Sequence, residues 1–152
     1  MGLHGYIHTA TSNNRFEKAH HKGTKSMKHE IIGGNFTLAD GTPLPLSKAV
    51  RAGDFVFLSG QLGFDNAGTI PSGIKAQTSH CIRNMASILQ EASLDISHIV
   101  KTTIWLTDLS NFAEFNEVYQ KAFPQLPPAR STVCSQLALP SALIEIEAIA
   151  YG

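Results

Sequence analysis

Charge is scarce in this chain. Charged side chains make up 16% of its 152 residues, and 12 basic residues balance 12 acidic ones, leaving a net charge of zero. Without a basic surplus there is no broad positive face of the kind that holds nucleic acid non-specifically, so no nucleic-acid partner is expected. Cysteine is scarcer still, with only Cys81 and Cys134. No C-x-x-C pair occurs, which removes zinc and thioredoxin-like sites, and two reduced, mostly buried thiols are expected in place of a disulfide. No apolar run approaches the roughly 20 residues that span a bilayer, and no secretory signal is expected. A cytoplasmic protein with no membrane partner is the expectation. The G-x-S-x-G, P-loop and G-x-G-x-x-G patterns are also missing, so hydrolase-elbow and nucleotide-binding readings have no foothold.

What remains is one globular domain behind a polar leader. Hydrophobic residues reach 43%, enough at this length to bury a real core. Residues 1–27 form an extension, expected to be disordered or loosely docked, and residues 28–152 form the domain. The extension holds four of the seven histidines, and Arg15, Lys18, Lys22 and Lys25 outweigh Glu17. Its basic, acid-poor composition has some organelle-transit character but no convincing amphipathic helix.

From His29 onward the periodicity sharpens. HEIIGGNFTLADGTPL reads as short strands around Gly33-Gly34 and a turn at Asp40-Gly41. DFVFLSGQLGF reads as a strand in which Gly60 permits a bulge. The run from Ile74 to Leu94 predicts a helix, with Thr78, Cys81, Ile82, Met85, Ile88, Leu89 and Ala92 on one stripe. HIVKTTIWLTDL is the next strand: Val100, Thr102, Ile104 and Leu106 face one way, and Lys101, Thr103, Trp105 and Thr107 the other. Asp108 or Ser110 caps a second helix with Phe112, Phe115, Tyr119 and Ala122 at helical spacing, and Pro124 and Pro127-Pro128 end it. Two final strands follow, broken near Pro140. The fold class is α+β, a mixed sheet with two helices on one face. The other face is left for an oligomer interface around Thr103 and Trp105.

One positive charge, Arg130, follows Lys121, with Glu145 and Glu147 downstream. Alternation puts Arg130, Thr132 and Cys134 on one face of their strand and pairs Glu145 with Glu147 on the next. If the two strands are neighbours, Arg130 comes near a glutamate, and two readings stand open. One is a surface ion pair. The other is an anion pocket, in which the guanidinium grips a substrate carboxylate and a glutamate moves the proton. Ser59 and Gly60 end a strand where backbone and hydroxyl groups can meet a ligand, although a bulge alone explains them. Asn116 either faces solvent or joins a site. Cys134 lacks a base, because His80 and His98 sit on unrelated segments, so a structural thiol is expected.

FVFLSGQLG, IVKTTIWLTDLSNFAEFNEVY, PPARSTV and LPSALIEIEAIA, in that order, resemble the YjgF/Rid family of reactive-intermediate (enamine/imine) deaminases, also called L-PSP endoribonucleases. The resemblance spans about residues 28–151. It implies a chorismate-mutase-like fold assembled as a homotrimeric barrel, with ligand sites between subunits. The implied reaction hydrolyses 2-aminoacrylate-type enamines and 2-imino acids to 2-keto acids and ammonia, with no metal and no organic cofactor. Residue by residue, it implies Arg130 as the carboxylate clamp and Glu145 as the group that positions water and carries the proton. Ser59, Gly60, Asn116 and Thr132 are implied as further substrate contacts.

Two positions depart from the family pattern. Leu46 stands where the archetype has a tyrosine, and Thr132 where it has a cysteine, which places the chain in a non-archetypal branch with a more apolar pocket wall. A different class of function also fits the residues: a non-catalytic trimeric protein that binds small 2-keto acids in the same clefts. A ribonuclease is the third reading, and the zero net charge and missing histidine pair weigh against it.

Overall fold

Short β-branched and aromatic runs with alternating apolar residues favour strands. In the computed structural model, which describes residues 29–37 and 40–152, six strands and two helices follow one another. The strands are β1 (Glu30–Thr37), β2 (Pro43–Ala52), β3 (Phe55–Leu62), β4 (Ile99–Leu106), β5 (Ala129–Cys134) and β6 (Ile144–Tyr151). Helix α1 (Ile74–Glu91) lies between β3 and β4, and α2 (Phe112–Ala122) between β4 and β5. The expected extension at residues 1–27 lies outside the described residues.

The sheet order is β1-β2-β3-β6-β4-β5, with only β4 and β5 parallel. The order has a simple cause. The crossover through α1 carries the chain past one strand position, and β6, the last strand, fills that slot antiparallel to both neighbours. The mixed α+β sheet expected from the sequence is therefore present. The last two strands are not neighbours, because β4 lies between β5 and β6.

Every residue of the predicted α1 stripe is buried, from Thr78 to Ala92, against the sheet. Ile104, Leu106, Ile144 and Ile146 meet it from β4 and β6, with Met85, Leu89 and Phe115 among the largest fully buried side chains. Removing the Phe115 ring leaves a cavity at the junction of α2 and the sheet. Phe115→Ala is expected to cost about 3–5 kcal/mol, read as a large drop in melting temperature at fixed protein concentration.

Bulges decide which side chains leave the core. The register shifts between Ile99 and Lys101, which buries Ile99 and turns Val100 outward with 45% of its surface exposed. The simple alternation that put Val100 with Thr102, Ile104 and Leu106 fails there, since an inserted residue reverses the facing of what precedes it. In β1 the pair Gly33 and Gly34, at φ 71° and 70°, makes the shift between Ile32 and Asn35. Such backbone is cheap only for glycine.

The second sheet face is open. Phe55, Phe57 and Tyr151 lie exposed across β3 and β6, with ring centroids 6.3 Å and 5.2 Å apart for Phe55–Phe57 and Phe55–Tyr151.

Candidate functional site

Arg130 lies on the edge strand, opposite Thr102 of β4. Thr102 is fully buried, and its hydroxyl shares a 2.8 Å hydrogen bond with the Tyr119 hydroxyl of α2. That bond fixes α2 over the end of the sheet and fixes the face on which Arg130 emerges. The guanidinium carbon stands 5.0 Å from the Tyr119 ring centroid, 5.3 Å from Phe115 and 5.7 Å from Phe112. A row of ring faces attracts the cation and holds its plane without neutralising it. Nη1 donates to Asn116 Oδ1 at 2.8 Å. Among the described residues no carboxylate lies within salt-bridge distance of Arg130. The surface ion pair is therefore excluded for the described chain. One of five N–H donors is spent on a neutral amide, which leaves four without a side-chain partner among the described residues.

Asn116 and Arg130 thus meet. Thr132 is half-buried on the same face of β5, one strand step further along. Cys134 closes the strand, exposed, its thiol 3.8 Å from the Thr107 carbonyl. It is not the buried thiol expected; only Cys81 is, and burial pushes that thiol's pKa far up.

Glu145 is elsewhere. Ile144 and Ile146 face the helices, so Glu145 points to the open face, paired laterally with Trp105 of β4 and Leu62 of β3. Arg130 and Glu145 therefore emerge on opposite faces of one sheet, with β4 between their strands. The condition under which one chain would bring them together is not met: the strands are not neighbours and the faces differ. Burial, and secondly the nearby Glu147 charge, raise the Glu145 carboxyl above its ordinary pKa.

Gly60 is Glu145's companion. Two residues of β3, Ser59 and Gly60, oppose one of β6 where the register shifts between Leu58 and Gln61. Gln61 closes this bulge by donating from Nε2 to the Ser59 carbonyl at 2.7 Å, and the Ser59 hydroxyl donates to the Ser47 carbonyl at 2.7 Å. A Cβ on Gly60 would lie 2.8 Å from the Glu145 carboxyl carbon. The bulge is thus a seat for the carboxylate. Gly60→Ala is expected to displace that carboxylate while changing stability by less than about 1 kcal/mol, because a flexible side chain gives way. A thermal melt of the variant checks the small change in stability. Leu46 shares this open face, since alternation along β2 from buried Ala49 turns it outward with Val50.

Two positioning groups escaped the sequence reading. Buried Gln77 donates from Nε2 to the Pro71 and Ser141 carbonyls and accepts from the Leu143 backbone N–H at 2.7 Å. It anchors the chain as it enters β6, two residues before Glu145. The polar residue within the apolar stripe of α1 was the available signal. Tyr119 was read as core, which it is, but its contact with Arg130 follows only from the strand order. Among the described residues no cluster of three metal-ligating side chains occurs, and no helix is long and apolar enough to cross a membrane.

Known proteins share this fold and much of its sequence. The chain is 45% identical over 128 residues to the chloroplastic Reactive Intermediate Deaminase A of Arabidopsis thaliana, covering 82% of this chain and 67% of that one. It is 36% identical over 109 residues to the 2-iminobutanoate/2-iminopropanoate deaminase of Mus musculus, covering 70% and 80%. The E. coli TdcF structure with bound serine superposes with a TM-score of 0.73 at 32% identity, covering 81% of this chain and 98% of that one. The family model described as Endoribonuclease L-PSP matches residues 41–152, a stretch that holds Gly60, Asn116, Arg130 and Glu145 alike. The chain belongs to the endoribonuclease L-PSP family, the YjgF/Rid proteins.

Proposed function

We propose that this protein hydrolyses 2-aminoacrylate-type enamines and 2-imino acids to 2-keto acids and ammonia, in the cytoplasm and without a cofactor. The observation that carries the reading is Arg130: a guanidinium held by three rings and one neutral amide, with its charge left for a ligand carboxylate. An imine carbon is already electrophilic. Holding the carboxylate, placing a water and moving one proton is enough chemistry, and Glu145, with its raised carboxyl pKa, suits the last two tasks. Water adds to the C=N carbon, and the nitrogen takes a proton and leaves as ammonia as the carbonyl forms.

Because Arg130 and Glu145 emerge on opposite faces, the reading requires a second copy. In a homotrimer whose barrel covers Phe55, Phe57 and Tyr151, the Arg130 edge of one chain meets the Glu145 and Gly60 seat of the next. The names of the Arabidopsis and mouse relatives support the reaction class.

The test generates imino acids in situ with an amino-acid oxidase and traps survivors with semicarbazide. Faster loss of the trappable imine with this protein is the expected result. No acceleration, together with Arg130-dependent binding of 2-keto acids, would replace the enzyme with the binding protein.

A further inference from the structure

Beside Arg130 lies a cavity that the carboxylate clamp does not use. It holds about 330 Å³ and is lined by Tyr119, Phe123, Pro127 and Pro128, with Asn116, Gln120 and Arg130 at its polar edge. Its size falls in the usual range of ligand pockets, roughly 300–1,000 Å³. Tyr119 and Phe123 are buried and packed on each other, ring centroids 4.7 Å apart, so the apolar wall is held from behind. The Tyr119 hydroxyl is committed to Thr102, and what the ring offers the cavity is carbon. Pro127 and Pro128 give the opposite wall a restricted backbone and no N–H donor. Arg130 is the only charged residue in the lining.

We infer that this cavity receives the substrate's side chain and selects 2-imino acids with branched-chain or aromatic side chains over three- and four-carbon ones. The inference rests on the clamp role of Arg130. With the carboxylate on the guanidinium, a substituent at the next carbon has an apolar space at hand, far larger than a methyl group fills. A second carboxylate on the side chain finds only Arg130, already engaged, and an ammonium finds no opposite charge in the lining at all. Along the apolar wall of such a pocket, each added methylene is worth about tenfold or more in discrimination.

The experiment compares imines made by the oxidase from L-leucine and L-phenylalanine with that from L-alanine, using the partition between hydrolysis and semicarbazide. Binding of 4-methyl-2-oxopentanoate, phenylpyruvate and pyruvate is titrated in parallel. Gln120 is exposed on α2 at the cavity's edge, so Gln120→Trp fills the space from outside the core. The wild type is expected to favour the leucine and phenylalanine products by at least about tenfold in kcat/KM. Gln120→Trp is expected to collapse that ratio, with a melting temperature close to wild type. Turnover that depends on Arg130 but is equal for all three, or best for alanine, overturns the pocket inference and leaves the deaminase standing. No turnover, but tighter binding of the bulky keto acids that Gln120→Trp abolishes, ends the deaminase reading and keeps the pocket. Neither turnover nor a binding preference overturns the inference outright.

Discussion

Arg130→Ala is expected to remove the acceleration of imine loss while leaving the fold in place. The guanidinium is exposed and makes one side-chain hydrogen bond, to Asn116, so its loss uncovers little core. On the ligand side the change is larger. Truncating one partner of a desolvated charge pair costs about 2–4 kcal/mol, a factor of roughly 30 to 1,000. Arg130→Lys separates charge from shape: an ammonium keeps the charge but loses the planar fork and the stacking over Phe112, Phe115 and Tyr119. It is expected to fall between the two, about tenfold or more below wild type. The measurement is the trap assay with a 2-keto acid titration and a thermal melt. A folded variant that keeps full activity would remove Arg130 from the site.

Much of this architecture was legible in local periodicity, and the failures share one cause. The α1 stripe from Thr78 to Ala92 is correct because an 18-residue helix repeats its pattern several times within the segment itself. The bulge at Gly60 was legible from a glycine in a strong strand. The run SKAVRA, most of β2, was not read as a strand, since it carries no clear alternation and follows two prolines; pairing with β1 and β3 makes it one. Position in the sheet is non-local in the same way. Nothing in PARSTV or IEIEAIA says that β4 will lie between them, and that one fact decides whether Arg130 meets Glu145 within a chain. The aromatic row under Arg130 was visible as residues but not as a platform. Phe115 and Tyr119 are core by burial, and they reach the cation because β5 runs parallel to β4 beneath α2.

Glu145→Gln should be the second severe loss, and it also tests how the site is divided. General acid–base catalysis by a placed side chain contributes about 10²- to 10⁴-fold, and an amide cannot carry the proton. The pH dependence follows from the raised carboxyl. With the ionised form as the proposed base, wild-type activity is expected to be lost as pH falls through a value above the group's ordinary pKa. Glu147→Gln removes the secondary cause of the shift and is expected to move that acid limb downward. For folding the sign is the reverse of a stabilising ion pair. With its folded pKa raised, Glu145 contributes stability that is present below its unfolded pKa and lost as pH rises through the folded value. Melting temperatures of Glu145→Gln should therefore decline less than wild type from acid to neutral pH. Opposite-face geometry then permits a mixing experiment. Arg130→Ala chains still carry Glu145, and Glu145→Gln chains still carry Arg130. If each site takes the arginine from one chain and the glutamate from its neighbour, random mixed trimers contain one intact site in about four, and activity returns to about a quarter of wild type. Two inactive variants that stay inactive after subunit exchange would mean that the two residues do not share a site across the interface.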